Sequence, residues 1–202
     1  MKLYYSPGAC SLSPHIALIE AGLKFDAILA STKTHKLADG TDFYSINPLG
    51  YVPVLELDDG TRLTEGAAIV QYIADQAPAA KLAPANGTIE RYKLQSLLHF
   101  ISTELHKNFS PLFKPGTPPE AQLAAKESIA GRLKWLDGEL AGKTFLMGDQ
   151  FTVADGYLFN VTNWAAFVKL DLTPFTNILA LRERVAARPA VQQAMKAESL
   201  IK

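Results

Sequence analysis

Residues 10 to 13 read Cys-Ser-Leu-Ser, a thiol followed three positions later by a hydroxyl. Cys10 comes after a short apolar run, Lys2 to Tyr5, and a breaking turn, Ser6-Pro7-Gly8. It stands at the first turn of a helix whose apolar positions are Leu12, Ile16, Ile19 and Leu23. Free backbone N–H groups and the helix dipole favour an anion at such a turn, so a thiolate of depressed pKa is expected there. A Cys-x-x-Ser keeps the attacking thiol of Cys-x-x-Cys and removes the resolving one. A mixed disulfide formed on it needs an external thiol for release. The plainer role of a free cysteine is that of a small buried hydrophobe.

Two further pairs extend this constellation. Val52-Pro53 precedes a strand, where a proline suits a cis bond or a simple strand start. With a cis turn, the Val52 N–H and C=O face an extended peptide. Glu65-Gly66 opens a helix, whose free N–H groups can hold a carboxylate while the Glu65 side chain meets an ammonium. The alternative for Glu65 is capping of its own helix. Together Cys10, Val52 and Glu65 suit a ligand with a thiol, a peptide backbone and both terminal charges. Farther on, His99, Thr103 and His106 share a helix face opposite a leucine stripe. That face is either solvated or a polar wall toward another domain or a second subunit, and Lys107 adds positive charge beside it. Thr152-Val153-Ala154-Asp155 matches a capping box, with Phe151 placed to staple the helix start.

The elements that must position these residues follow from periodicity. After the strand, loop and first helix, Phe25 to Ala30 reads as a second strand and Ser31 to Asp42 as a polar surface loop. Asn47-Pro48-Leu49-Gly50 is a turn, Val52 to Leu57 a strand, Asp58-Asp59-Gly60 a hairpin turn, and Thr61 to Leu63 the returning strand. Ile69, Val70 and Ile73 mark the helix after Glu65. The order β-α-β, link, β-β-α is that of a thioredoxin-like domain over residues 1–77. Residues 78–87, with two prolines, a glycine and four alanines, form a linker. Residues 88–202 read as helical throughout. Leu94, Leu97, Leu98, Ile101 and Leu105 mark a long helix that Pro111, Pro115, Pro118 and Pro119 are expected to end. Ile129 to Leu140, Ala154 to Val168 and Ile178 to Val185 mark three more, the last broken by Arg188-Pro189.

Composition bounds the function. Twenty basic and twenty acidic side chains cancel, which gives nucleic acid or a membrane surface no bulk charge to hold. No apolar run reaches the roughly 18 residues of a membrane helix, and the N-terminus turns polar by Ser6, unlike a signal peptide. One cysteine makes no internal disulfide, which fits a reducing, cytoplasmic compartment. The four histidines show no metal-ligand spacing, so no metal is expected.

These residues together resemble the bacterial beta class of glutathione transferases over the whole chain. The likeness is carried by Met1-Lys2-Leu3-Tyr4-Tyr5-Ser6-Pro7-Gly8-Ala9-Cys10-Ser11-Leu12-Ser13-Pro14-His15, by Asn47-Pro48 with Val52-Pro53, and by Leu63-Thr64-Glu65-Gly66. Glu104-Leu105-His106-Lys107 and Phe151-Thr152-Val153-Ala154-Asp155 add to it. The resemblance implies an α/β thioredoxin-like N-terminal domain plus an all-α C-terminal domain, a homodimer, and glutathione as co-substrate bound mainly by the first domain. It implies Cys10 facing the glutathione sulfur, with Ser11 and His106 beside it in catalysis, Val52 pairing with the cysteinyl backbone before a cis Pro53, and Glu65 and Gly66 at the γ-glutamyl end. His99, Thr103, Glu104, Leu105 and His106 are expected to complete the site, partly across the dimer. Two positions depart from the class: His99 stands for its usual asparagine, and His35 for the lysine that meets the glycyl carboxylate. The implied activity is conjugation of glutathione to small apolar electrophiles, with disulfide or peroxide reduction beside it. A thiol-disulfide oxidoreductase using Cys10 and a non-enzymatic binding protein on the same fold are the alternatives.

Overall fold

The computed structural model describes residues 1–202 and divides into two compact units. Met1–Ala83 and Ala187–Lys202 make the first; Pro84–Ala186 make the second.

In the first unit, strands β1 (Lys2–Tyr5), β2 (Asp26–Leu29), β3 (Val54–Glu56) and β4 (Arg62–Leu63) form one sheet in the order β2-β1-β3-β4. β1 pairs with β2 in parallel and with β3 antiparallel, and β3 pairs antiparallel with β4. Between β1 and β2 runs helix α1 (Leu12–Glu20); after β4 comes α2 (Gly66–Gln76). This is the thioredoxin-like order that the sequence implied. Gly22 ends α1 in the left-handed region at φ 65°, with Leu23 N–H bonded to the Leu18 carbonyl. That six-residue closure is what a glycine at this position permits.

One stripe of α1 was expected to be buried, yet Leu12 through Leu18 are all buried. A second helix explains this. The chain's last helix packs on α1, although the sequence reading put that segment with residues 88–202. Its Arg188 N-cap donates two hydrogen bonds to Glu20, at 2.5 and 2.8 Å.

The second unit holds helices α3 (Ile89–Phe100), α4 (Lys107–Phe113), α5 (Pro119–Glu139), α6 (Val153–Val168) and α7 (Thr176–Ala186); the last helix of the chain is α8 (Pro189–Ala197). Its core gathers Leu94, Leu98, Ile101, Leu105 and Phe109 with Ile129, Leu133 and Leu136 of α5 and Ile178, Leu181 and Val185 of α7, every one at most 1% exposed. Helix α6 is buried on nearly all sides from Val153 to Thr162, well beyond the one apolar face that its period marks. Its start is held as the capping box implies. Asp155 accepts from Thr152 N–H at 2.8 Å and Thr152 Oγ1 at 2.9 Å, and from Leu146 N–H at 2.7 Å. Asp137 of α5 accepts from Ile178 N–H at 2.8 Å, satisfying an otherwise orphan donor at the start of α7.

Two expectations are corrected here. Pro111 does not end the long helix; it lies inside α4, which runs on to Phe113. Between α3 and α4 the backbone widens into a π-helix at Ile101–His106. Such widening inserts residues into the helical repeat and turns later side chains away from the face that a 3.6-residue period assigns them.

Candidate active site

The loop from β1 to α1 is tied by its own side chains. Ser11 is fully buried; its Oγ accepts from Ser6 N–H at 3.1 Å and donates to the Ser6 carbonyl at 3.2 Å. Its hydroxyl, which the resemblance places beside Cys10 in catalysis, is engaged in closing this loop. From the far end of the chain, Glu198 Oε2 accepts from Gly8 N–H at 2.9 Å, and Oε1 stands 2.8 Å from His15 Nδ1. Both His15 and Glu198 are 2% exposed, so the loop carrying Cys10 is anchored to α8 by a buried carboxylate.

Cys10 is half-buried, and its Sγ donates to the Val52 carbonyl at 3.1 Å. The expected depression of its pKa is not found. Burial pushes the thiol up to about 12, aided by the nearby Glu65 charge, and outweighs the Cys10 and Ser11 backbone N–H groups that pull the other way. The reason is solvation. A helix N-terminus favours an anion only by partial charges, whereas closing a thiol in protein removes the water that stabilises its anion.

The Val52–Pro53 bond is cis. Asn47 shapes the approach to it, donating from Nδ2 to the Tyr51 carbonyl at 2.8 Å and accepting from Leu49 N–H at 3.1 Å. Gly50, at φ 69°, leaves no room for a side chain: a Cβ there would meet Tyr44 at 2.7 Å and His35 Nδ1 at 2.9 Å. His35 is itself in the left-handed region at φ 52°, its ring tilted 30° to that of Tyr44 with centroids 4.6 Å apart, and its Nδ1 buried and unpartnered.

Glu65 is exposed and adopts φ 63°, ψ 107°, a conformation costly for a residue with a Cβ. Its side chain does not cap α2; its carbonyl accepts from Ala68 and Ile69 N–H instead. Capping therefore does not account for this residue. Gly66 lies against Pro53, where an added Cβ would stand 3.8 Å from the ring. The first unit thus brings Cys10, Val52, Pro53, Glu65 and Gly66 together. They offer a thiol, a backbone pair, a free carboxylate and a helix start.

In the second unit the π-helix distributes the expected residues differently. His99 is exposed, its Nδ1 2.8 Å from the Gln95 carbonyl, and the exposed Thr103 donates to the His99 carbonyl at 3.0 Å. Glu104 is held by Arg132 of α5, Nε to Oε2 at 2.7 Å. Leu105 is fully buried, so only its backbone is available. His106 does not share the face of His99 and Thr103, because the widened turn carries it inward. Its Nδ1 is 2.7 Å from the Tyr157 hydroxyl and its ring 4.8 Å from Trp164. Burial, with Lys107 beside it, lowers its pKa to about 4, so the imidazole is neutral at neutral pH. Phe109 and Phe113 meet the same Trp164 ring edge-on at 5.6 and 5.8 Å. No three His, Cys, Asp or Glu side chains converge to hold a metal ion, and no helix is long and apolar enough to cross a membrane.

Residues 8–76 match the family model for the glutathione S-transferase N-terminal domain, and residues 100–189 that for its C-terminal domain. The glutathione S-transferase GstA of Escherichia coli O157:H7 is 45% identical over 200 residues, covering 99% of this chain and 100% of that one. The chain belongs to the glutathione S-transferase family. A bacterial beta-class glutathione S-transferase from Sphingomonas chungbukensis superposes with a TM-score of 0.96 at 51% identity, over 100% of both chains. A sphingomonad glutathione S-transferase complexed with glutathione does so with a TM-score of 0.96 at 49% identity, again over 100% of both. Within this family fold, sequence reasoning missed Glu198, Arg132 and Tyr157. Glu198 lies 190 residues from Gly8, and no local pattern announces such a contact. For Tyr157 the helical period placed it on an apolar face and gave no sign that its hydroxyl meets an imidazole.

Proposed function

We propose that this glutathione transferase binds glutathione through the first unit and joins its thiol to small apolar electrophiles. The observation that carries the reading is the grouping of Cys10, Val52, cis Pro53, Glu65 and Gly66. The Val52 backbone pairs with the cysteinyl residue of glutathione, and Glu65 with Gly66 holds the γ-glutamyl ammonium and carboxylate. His35 stands at the glycyl end, and Cys10 faces the ligand's sulfur. The backbone N–H groups of Cys10 and Ser11 favour the ligand's thiolate, while the protonated Cys10 thiol places it. His99, Thr103, Glu104 and Leu105 complete the glutathione site, partly in a homodimer. His106, with Phe109, Phe113 and Trp164, offers the electrophile an apolar wall with one polar atom. Residues 1–77 as a glutathione-binding domain, 78–87 as a linker and 88–202 as a helical stretch, whose last residues 187–202 fall with the first unit, belong to the same reading, as do a cytoplasmic location and no nucleic-acid or membrane partner.

The test is a conjugation assay with an aryl halide set beside reduction of a mixed disulfide. Conjugation well above the uncatalysed rate supports the transferase. Disulfide reduction without conjugation supports the rival oxidoreductase, whose nucleophile is Cys10; a thiol held near 12 argues against that rival. Sedimentation near twice 22.0 kDa tests the dimer.

A further inference from the structure

We propose that Tyr157 is a positioning residue: its hydroxyl donates to His106 Nδ1 and holds the neutral imidazole with Nε2–H free, a hydrogen-bond donor for electrophiles that carry an oxygen acceptor. The proposal rests on the reading that His106 serves the electrophile.

The geometry gives the ring one orientation. Tyr157 is 3% exposed on α6, and its oxygen lies 2.7 Å from Nδ1. Trp164, about two turns farther along the same helix, stands edge-on to the imidazole at 4.8 Å and 67°. His106 also leaves the π-helix at its last position, so the backbone aims it where a regular helix would not. Nε2 has no partner within the protein and is not closed off from solvent.

The direction of the bond follows from the two groups. A neutral imidazole has one N–H and one lone-pair nitrogen. The lone pair is a better acceptor than a phenol oxygen, and a phenol O–H is a better donor than an imidazole N–H. The stable pairing is therefore O–H to Nδ1, which leaves the proton on Nε2. Lys107 is the charged group that bears on this ring, and like burial it disfavours a second proton.

The chemistry that this donor supports is selective. When the glutathione thiolate adds to a carbon conjugated to a carbonyl, the S–C bond forms and the π pair moves onto the oxygen. A fixed N–H aimed at that oxygen stabilises the charge as it develops, and solvent later supplies the proton. A benzyl halide, whose displacement puts no charge on an oxygen, gains nothing from it.

Long-range proton–nitrogen spectra of the imidazoles, with His106→Ala assigning the resonance, test the proposal directly. Nε2 protonated at neutral pH is the expected result; a proton on Nδ1 overturns it. In Tyr157→Phe, which keeps the aromatic ring, the neutral imidazole loses a donor, so its titration midpoint rises. Turnover of an unsaturated ketone is expected to fall about three- to tenfold. The glutathione KM and the turnover of a benzyl halide hold. In a His106→Ala background, Tyr157→Phe has no further effect on the ketone. Unchanged midpoint and turnover in Tyr157→Phe, with ketone turnover lost in His106→Ala, overturn the role of Tyr157 alone. Full ketone turnover in His106→Ala removes the reading of His106 itself, and the proposal with it.

Discussion

Cys10 in the first unit and His106 in the second are the two titratable groups that the sequence marked for catalysis, and burial treats them alike. It drives the thiol up to about 12 and the imidazole down to about 4, so each is neutral at neutral pH. Their settings differ. Cys10 lies on a loop tied down by Ser11 and Glu198 and donates to a backbone carbonyl. His106 lies at the end of a widened helix and is held by one phenol and aromatic rings. The comparison teaches that neither group needs its charged form. A protonated thiol can still place a ligand sulfur, and a neutral imidazole can still donate one hydrogen bond. The charge required for conjugation then resides on the glutathione sulfur.

Alkylation of Cys10 in the ligand-free protein gives the largest expected effect on this comparison. With the thiol near 12, its thiolate fraction at neutral pH is about a thousandfold or more below that of an exposed cysteine. Labelling by iodoacetamide, followed by mass, should be slow and rise about tenfold per pH unit through the alkaline range. A rate that levels off near neutral pH would restore the depressed thiol that the sequence implies.

Loosening the anchor of the Cys10 loop comes next. Glu198→Ala strips a buried partner from both Gly8 N–H and His15. The expected loss is about 3 kcal/mol of stability in urea unfolding. A loss under about 1 kcal/mol would mean that this carboxylate is not what fixes the loop.

Glu65 separates binding from folding. Its carboxylate caps nothing, so Glu65→Ala should leave the fold intact. Glutathione affinity by calorimetry should fall by about tenfold or more, the size of a charge-assisted contact. Glu65→Gly sharpens the point. Affinity falls as with alanine, but relief of the φ 63° conformation should raise stability by about 1 kcal/mol. Unchanged affinity in both variants would remove Glu65 from the ligand site.

The first unit was the more legible in sequence because its devices are local. Pro7-Gly8, Asn47-Pro48 and Asp58-Asp59-Gly60 mark turns, and Val52-Pro53 and Glu65-Gly66 mark their own backbone features. Three kinds of information were out of reach. The packing of α8 on α1 joins residues 168 and 183 positions apart, so α1 looked like a one-sided helix. The π-helix at Ile101–His106 changes the period on which face assignments depend, which is why His106 was grouped with His99 and Thr103. The thiol pKa depends on burial, and a sequence shows only the helix start. Asp155 was read correctly because a capping box spans four residues and needs no distant partner.

The central claim is that the attacking sulfur belongs to glutathione and that Cys10 only places it. Steady-state conjugation of glutathione to an aryl halide by the Cys10→Ala variant tests it most directly. The backbone N–H groups of residues 10 and 11 survive that substitution, so conjugation is expected to fall only partly, while mixed-disulfide reduction is lost. Complete loss of conjugation with calorimetric glutathione affinity intact would contradict the account and show that the glutathione sulfur cannot be activated without the Cys10 side chain.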